Sequence, residues 1–292
     1  MHHRDPTSPT RKEYDPLHRS DVTAFFDENT CTISYVVKSP DSPACAIIDP
    51  VLDFAPHSGR TGHKSADLLV QHVREHQLDV EWILETHVHA DHLTAAPYLQ
   101  ETLGGKTAIG ANIIKVQRVF GELFNAEAAF TRDGSQFARL FEDGDTFNIG
   151  GLDGRVIHTP GHTPACLTYL IGDSAFVGDT LFMPDYGSAR CDFPGGDART
   201  LYRSIHKLFA LPDETRMWMC HDYKAPGRDE YAWETTVGAQ KRNNIHVHEG
   251  VSENDFVAMR TKRDAGLDLP RLLLTAVQVN IRAGYFPPAD DN

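Results

Sequence analysis

A dense cluster of side chains that can bind metal lies in the stretch 82–92, which reads Trp-Ile-Leu-Glu-Thr-His-Val-His-Ala-Asp-His. Its imidazoles and carboxylate are those of His87, His89, Asp91 and His92. The apolar residues before them predict a buried strand that ends in a loop. A loop can aim all four side chains at one point, whereas a regular strand or helix cannot. Because imidazole and carboxylate are ligands for zinc, iron and manganese, the stretch predicts one half of a metal site. The alternative is a polar loop of solvated histidines.

Three later stretches repeat the arrangement of an apolar strand followed by a metal-binding side chain. His162, Asp179 and His221 each come after such a strand, and Pro160-Gly161 predicts a turn before His162. Any one of them alone could be a capped turn. Together with the loop at 87–92, they predict that four strand ends converge on one cavity.

The bulk composition excludes several classes of protein. The chain has 292 residues, of which 40% are hydrophobic and 24% charged, which is typical of a soluble globular protein. Its net charge of −13 argues against a nucleic-acid partner. Five scattered cysteines without a C-x-x-C pair indicate a reducing compartment. With neither a long apolar span nor an apolar N-terminal segment, we expect no membrane insertion and a cytoplasmic location.

The element pattern predicts a polar, loose N-terminal arm over residues 1–20. Residues 21–292 are expected to form a single domain with a helical C-terminal extension from about residue 231. Predicted strands cover 22–26, 31–37, 44–48, 82–84, 107–109, 137–140, 146–149, 154–159, 166–171, 174–177 and 217–219. Predicted helices cover 65–76, 95–103, 113–124 and 201–209. This order indicates two sheets sandwiched between helices.

Four motifs, in this order, resemble the metallo-β-lactamase fold family: Thr-His-Val-His-Ala-Asp-His at 86–92, Pro-Gly-His-Thr at 160–163, Gly-Asp-Thr-Leu-Phe at 178–182 and His-Asp-Tyr at 221–223. The resemblance covers about residues 22–225. It implies an α+β fold, a four-layer αβ/βα sandwich with the metal at the edge of the sheets. The chain is most similar to the branch that contains glyoxalase II and the persulfide dioxygenases. The Arg-x-Asp-Phe pattern at 190–193 favours the dioxygenases, because glyoxalase II usually has Arg-Phe-Phe there.

A persulfide dioxygenase would hold one Fe(II) per chain on His87, His162 and Asp179, as the resemblance implies. It would oxidise glutathione persulfide with O2 and water to sulfite and glutathione. The other metal-type residues would then line the cavity, orient ligands and handle protons: His89, Asp91, His92 and His221. A homodimer and a functional partnership with a sulfide:quinone oxidoreductase are further hypotheses.

Glutathione is a net anion, so its binding requires local cations despite the acidic chain. Arg190 suits this role through bidentate pairing with a carboxylate. Tyr223 matches a tyrosine that holds glutathione in the related hydrolases. Lys224 and Arg282 are further candidates, for which a solvated surface charge is the competing interpretation.

Two other functions compete with the dioxygenase. A glyoxalase II-like thioester hydrolase would use all seven metal-type residues to hold two ions and act on S-D-lactoylglutathione. A non-catalytic metal- or glutathione-binding module of a sulfide-oxidising assembly is the second alternative, against which the complete set of ligand candidates argues.

Overall fold

The structure is a computed structural model that describes residues 19–289. Most of the predicted N-terminal arm therefore lies outside the described residues. Its last residue, Ser20, is buried, and its hydroxyl bonds to that of Ser174 at 2.8 Å. Ser20 is therefore anchored to a distant part of the chain.

The strands are β1 Asp21–Asp27, β2 Thr32–Lys38, β3 Ala44–Ile48, β4 Val51–Ala55, β5 Arg60–Gly62, β6 Asp79–Leu84, β7 Leu93–Thr94, β8 Lys106–Gly110, β9 Arg139–Phe141, β10 Thr146–Ile149, β11 Leu152–His158, β12 Leu167–Ile171, β13 Ser174–Phe176, β14 Arg216–Trp218 and β15 Glu234–Thr236. The helices are α1 Lys64–Glu75, α2 Ala96–Leu103, α3 Ile113–Leu123, α4 Ala198–Phe209, α5 Val237–Asn243, α6 Glu253–Asp264 and α7 Leu273–Asn280.

The strands form two six-stranded sheets, in the orders β1-β2-β3-β6-β8-β9 and β10-β11-β12-β13-β14-β15. A small third sheet has the order β5-β4-β7. Within the first sheet β6 is parallel to both β3 and β8, and within the second β13 is parallel to β14. The strand ends that carry the predicted ligands can therefore lie together at one edge of the two sheets.

The two sheets pack face to face, and helices cover both outer faces. Alternate residues of β2 divide between two cores: Tyr35 packs between the sheets, and Val36 packs outward under α1 and α2. Both faces of β2 are therefore covered, and all of its residues except the last are buried. On the second sheet α4 turns Leu201 and Ile205 inward. This confirms the four-layer αβ/βα sandwich.

The structure adds elements that the sequence pattern did not predict. The small third sheet is one of them, and β15, which pairs with β14, is another. The chain after β15 continues through α5, α6 and α7, which pack on the sandwich. Between residues 19 and 289 no helix combines the length and apolar character needed to cross a membrane.

Candidate metal centre

The loop after β6 carries the four clustered ligand types, and other parts of the chain hold it tightly. His87, His89 and His92 are buried. The backbone N–H of Thr86 donates to Oδ1 of Asp49 at 2.7 Å. The loop is therefore a fixed part of the domain, and the alternative of solvated histidines is wrong.

Glycines allow two further strand ends to pack closely, one against α4 and the other against this loop. Gly161, just before His162, has φ +145, and a Cβ there would lie 2.4 Å from the Cα of Leu201. Gly178, just before Asp179, has φ +50, and its Cβ would lie 2.6 Å from the Thr86 hydroxyl. A side chain at either position would force the backbone away, so these glycines set the positions of the two ligand candidates.

His87, His162 and Asp179 form one compact group at the centre. Oδ2 of Asp179 lies 4.0 Å from Nε2 of His87 and 3.7 Å from Nε2 of His162. The three ligand atoms lie within 4.8 Å of one another, which fits an ion about 2 Å from each atom. Nε2 of His87 and Oδ1 of Asp179 are buried without a hydrogen-bond partner. Buried polar atoms are normally paired, so these two atoms are available to a bound cation.

The remaining ring nitrogens of the two histidines are already occupied. Nδ1 of His162 lies 2.8 Å from the carbonyl oxygen of Arg190, which can only accept, so this nitrogen carries the proton. Nδ1 of His87 lies 3.0 Å from the Thr86 hydroxyl. Both rings can therefore present Nε2 as a lone pair to a metal, as such ligands require.

A second group of ligand types adjoins the first. Nε2 of His221 lies 3.4 Å from Oδ1 of Asp179 and 3.5 Å from Oδ2 of Asp91. Nδ1 of His92 lies 3.0 Å from the same Asp91 oxygen. Nε2 of His92 and of His221 are buried without partners. Nδ1 of His89 is also unpaired. All seven predicted residues therefore come together in the structure. The second group could hold another ion or orient the ligands of the first ion.

The surroundings favour the protonation states that metal binding requires. Burial, together with the neighbouring imidazoles of His89 and His162, holds the pKa of His87 well below its usual value. Burial alone would raise the pKa of the Asp91 carboxyl, but His221 and His92 hold it well below its usual range. His87 is thus neutral and Asp91 ionised at neutral pH.

Two buried carboxylates beside His89 were missed in the sequence. Nε2 of His89 lies 3.0 Å from Asp49 and 3.5 Å from Glu85. Burial opposes the charged imidazole, yet these carboxylates raise the pKa of His89 well above its usual value. Asp49 lies directly after β3, so the rule that identified the other candidates, a polar side chain at a strand end, could have found it.

A cavity of about 400 Å³ opens beside Asp179 and His162. Aromatic and apolar side chains form much of its wall: Phe182, Tyr186, Phe193, Leu267 and Pro270. The predicted substrate residues Arg190 and Tyr223 line it, whereas Lys224 and Arg282 do not. Lys224 lies over the ring of Tyr231, with Nζ 4.4 Å from the ring centre. Arg282 is buried against Glu127 at 2.6 Å, so it is a packed, paired cation.

The arginines of the cavity differ in how they are paired. Arg190 forms a bidentate pair with Asp192, with both N–O distances at 2.6 Å, and so differs from the free cation expected for substrate. Arg263 and Arg271 also line the cavity, are exposed, and have no side-chain ion pair or hydrogen bond within the described part of the chain. The sequence analysis missed both, because neither adjoins a motif.

Similar proteins carry several different names. A probable metallo-hydrolase of Burkholderia pseudomallei strain 1710b is 58% identical, covering 93% of this chain and 95% of that protein. Glyoxylase B2 of Dictyostelium discoideum is 47% identical, covering 94% of each. The human mitochondrial persulfide dioxygenase ETHE1 is 29% identical, covering 90% of this chain and 89% of that one.

Solved structures and family models agree on the fold. The crystal structure of ETHE1 from Myxococcus xanthus superposes with a TM-score of 0.72 at 30% identity, covering 91% of this chain and all of that one. The family model described as the metallo-beta-lactamase superfamily matches residues 34–221, which include all seven ligand candidates. The chain belongs to the metallo-β-lactamase superfamily.

Proposed function

We propose that the chain is a persulfide dioxygenase that oxidises glutathione persulfide with O2 and water to sulfite and glutathione. The compact group of His87, His162 and Asp179 carries this proposal. Two histidines and one carboxylate with open positions are the ligand set of non-heme Fe(II) oxygenases. Fe(II) held by these three residues would supply the oxygen chemistry.

The chain's own residues would bind the substrate and exclude water. Glutathione persulfide carries carboxylates, and the unpaired guanidinium groups of Arg263 and Arg271 at the cavity match them in charge. Phe182 and Phe193 provide an apolar wall close to the metal group. An apolar wall excludes water, which strengthens polar interactions inside the cavity and limits side reactions.

The second group of polar residues would hold and move protons during this reaction. The Asp91 carboxylate lines the cavity and lies within 3.5 Å of both His92 and His221. It therefore stays ionised and can stabilise a proton that either imidazole takes from the persulfide or from water. The hydroxyl of Thr32 lies 3.2 Å from the same carboxylate and helps to orient it.

A thioester hydrolase is the second candidate, and the unpaired Nε2 atoms of His92 and His221 favour it. The His221 atom adjoins Asp179 and the His92 ring adjoins Asp91, so these groups could hold a second ion, and a two-ion site can activate water for hydrolysis. The likeness to proteins named metallo-hydrolase and glyoxylase supports this candidate as well.

One pair of assays separates the two functions. Protein purified without chelator is analysed for metal content, then assayed for O2 consumption with glutathione persulfide and for hydrolysis of S-D-lactoylglutathione. The proposal expects about one iron per chain, O2 uptake and sulfite formation, with little hydrolysis. About two ions per chain with thioester hydrolysis and no O2 uptake would replace it by the hydrolase. The Asp179→Ala protein is the control, because both mechanisms require this ligand.

A further inference from the structure

Arg260 in α6 is almost completely buried, at 1% exposure, and is paired with Asp264 one turn later. Its Nε and Nη2 donate to Oδ1 of Asp264 at 2.9 and 2.6 Å. Burying such a pair costs several kcal/mol of desolvation, and apolar residues could fill the same space at less cost. The charges therefore point to a role beyond packing.

The pair holds the backbone on both sides of Arg190. Nη1 of Arg260 donates to the carbonyl oxygen of Ser188 at 2.9 Å. Oδ2 of Asp264 accepts from the backbone N–H of Cys191 at 2.9 Å. Between these two fixed points lies the Arg190 carbonyl, the group that accepts from Nδ1 of His162.

This chain of contacts determines which nitrogen of His162 is free. A carbonyl oxygen cannot donate, so holding it 2.8 Å from Nδ1 stabilises the tautomer with the proton on Nδ1. Nε2 then keeps its lone pair for the metal. If the carbonyl moved, the ring could rotate or place its proton on Nε2, and the ligand would be lost.

We propose that Arg260 and Asp264 are positioning residues for the metal ligand His162, acting through the backbone of residues 188–191. The inference goes beyond the proposed function, since it applies to whichever ion the centre holds and whichever reaction follows. All seven ligand candidates lie far from α6 in the sequence. The proposal nevertheless gives this helix a role in the orientation of His162.

The test uses the full chain in the variants Arg260→Met and Asp264→Asn. Long-range ¹H–¹⁵N spectra of the metal-free protein report the tautomer of His162, assigned by comparison with His162→Gln. Zn²⁺ alone is then titrated in competition with a chromophoric chelator. We expect the wild-type ring to carry its proton on Nδ1, the variants to show a mixture of tautomers, and their Zn²⁺ Kd to rise about 10- to 100-fold.

Asp264→Asn matters because an amide has one acceptor oxygen and cannot satisfy both Arg260 and the Cys191 N–H. It decides the question if Arg260→Met fails to fold. The matched control is Arg216→Met, which removes a partly buried arginine paired with Asp173 at 3.3 Å, at the start of β14. Its tautomer spectrum and Zn²⁺ affinity should be those of the wild type.

Two results would overturn the proposal. One is a folded Arg260→Met or Asp264→Asn protein with wild-type His162 spectra and Zn²⁺ affinity. The other is an equal loss of affinity in Arg216→Met, which would reduce the effect to general destabilisation. Neither readout depends on turnover, so a failed oxygen assay would leave this test intact.

Discussion

Nε2 of His89 donates a hydrogen bond to the buried carboxylate of Asp49 at 3.0 Å. Burial alone would raise the pKa of Asp49, but His89 and Thr86 lower it, so the carboxylate is ionised and accepts. The bond leaves Nδ1 of His89 free beside Asp91 and His92. Asp49 therefore determines which nitrogen of His89 is available, whether that nitrogen binds an ion or a proton.

We expect Asp49→Asn to lower kcat/KM about 10- to 100-fold while the protein stays folded. The neutral amide lacks the charge that raises the pKa of His89, and its N–H can donate to Nε2, so the ring keeps its proton on Nδ1 alone. Steady-state kinetics and metal analysis measure the effect. Asp53→Asn is the control, because Asp53 bonds to Ser65 and none of the seven ligand candidates. An activity within twofold of the wild type would show that Asp49 only braces the loop.

Asn280 at the end of α7 fixes the same loop through its backbone. Its amide donates to the carbonyls of His89 at 2.9 Å and His92 at 2.8 Å, and its oxygen accepts from the N–H of Thr94 at 3.0 Å. Asn280→Leu leaves three buried backbone groups unpaired, so we expect a loss of at least about 3 kcal/mol in the free energy of unfolding. Urea unfolding measures it. In Gln278→Leu, whose side chain is partly exposed, the loss should stay near 0.5 kcal/mol.

Metal retention in ligand variants separates one ion from two. We expect Asp179→Ala and His162→Ala to lose the metal, because each removes one of three ligands from the compact group. His89→Ala and His92→Ala should keep about one iron per chain with lowered activity. Elemental analysis of the four proteins measures this. Loss of metal in His89→Ala, or loss of one of two ions in His92→Ala, would contradict a single-ion centre.

Substrate charge is best tested at the unpaired arginine Arg271. We expect Arg271→Met to raise the KM for glutathione persulfide about 10-fold with unchanged iron content, because a charged hydrogen bond to a carboxylate contributes about 1.5 kcal/mol or more. The increase should shrink at high salt, which screens the exposed charge. Arg74→Met is the control, since Arg74 is exposed on α1 away from the cavity. An unchanged KM would remove Arg271 from the substrate site.

Arg190 is expected to act differently from Arg271. Its guanidinium is held by Asp192 and by the Asp268 carbonyl, and its own carbonyl orients His162. We therefore expect Arg190→Ala to raise the KM through displacement of the cavity wall, with iron content unchanged because the backbone carbonyl remains. Kinetics at saturating O2 measure it. Loss of iron would instead show that the Arg190–Asp192 pair also holds the backbone that orients His162.

The sequence predicted those parts of the centre whose signal is local. A strand end followed by His or Asp is apparent from the sequence alone, so the positions of His162, Asp179 and His221 could be predicted. Core strands such as β2 were predicted for a similar reason, since the β-branched and aromatic residues of β2 are typical of strands.

What the sequence did not predict depends on contacts between distant segments. Asn280 and His92 are 188 positions apart, and Arg260 and Ser188 are 72 apart. No periodicity indicates such pairs, because Asn280 and Arg260 each lie in an ordinary helix far along the chain from the loop that they hold. Arg282 is an error of the opposite kind. The sequence analysis proposed this cation for substrate binding, because nothing in the sequence indicates that it pairs with Glu127.

His246 should make the stability of the fold depend on pH. Burial and the nearby charges of Arg260 and Arg263 lower its pKa to about 4, while its Nδ1 accepts from the Ser188 N–H. An unfolded chain binds this proton near pH 6.5, so between about pH 6.5 and 4 the unfolded state holds more protons and stability falls as the pH falls. We expect His246→Asn, whose Oδ1 can replace Nδ1 as the acceptor, to lose less stability over this range. The difference should be on the order of 1–2 kcal/mol, discounted for partial solvent access. Urea unfolding of both proteins from pH 7 to 4.5 measures this difference. Both proteins have the same carboxylates, so their contribution cancels in the comparison. Parallel curves of stability against pH would show that the low pKa of His246 does not contribute.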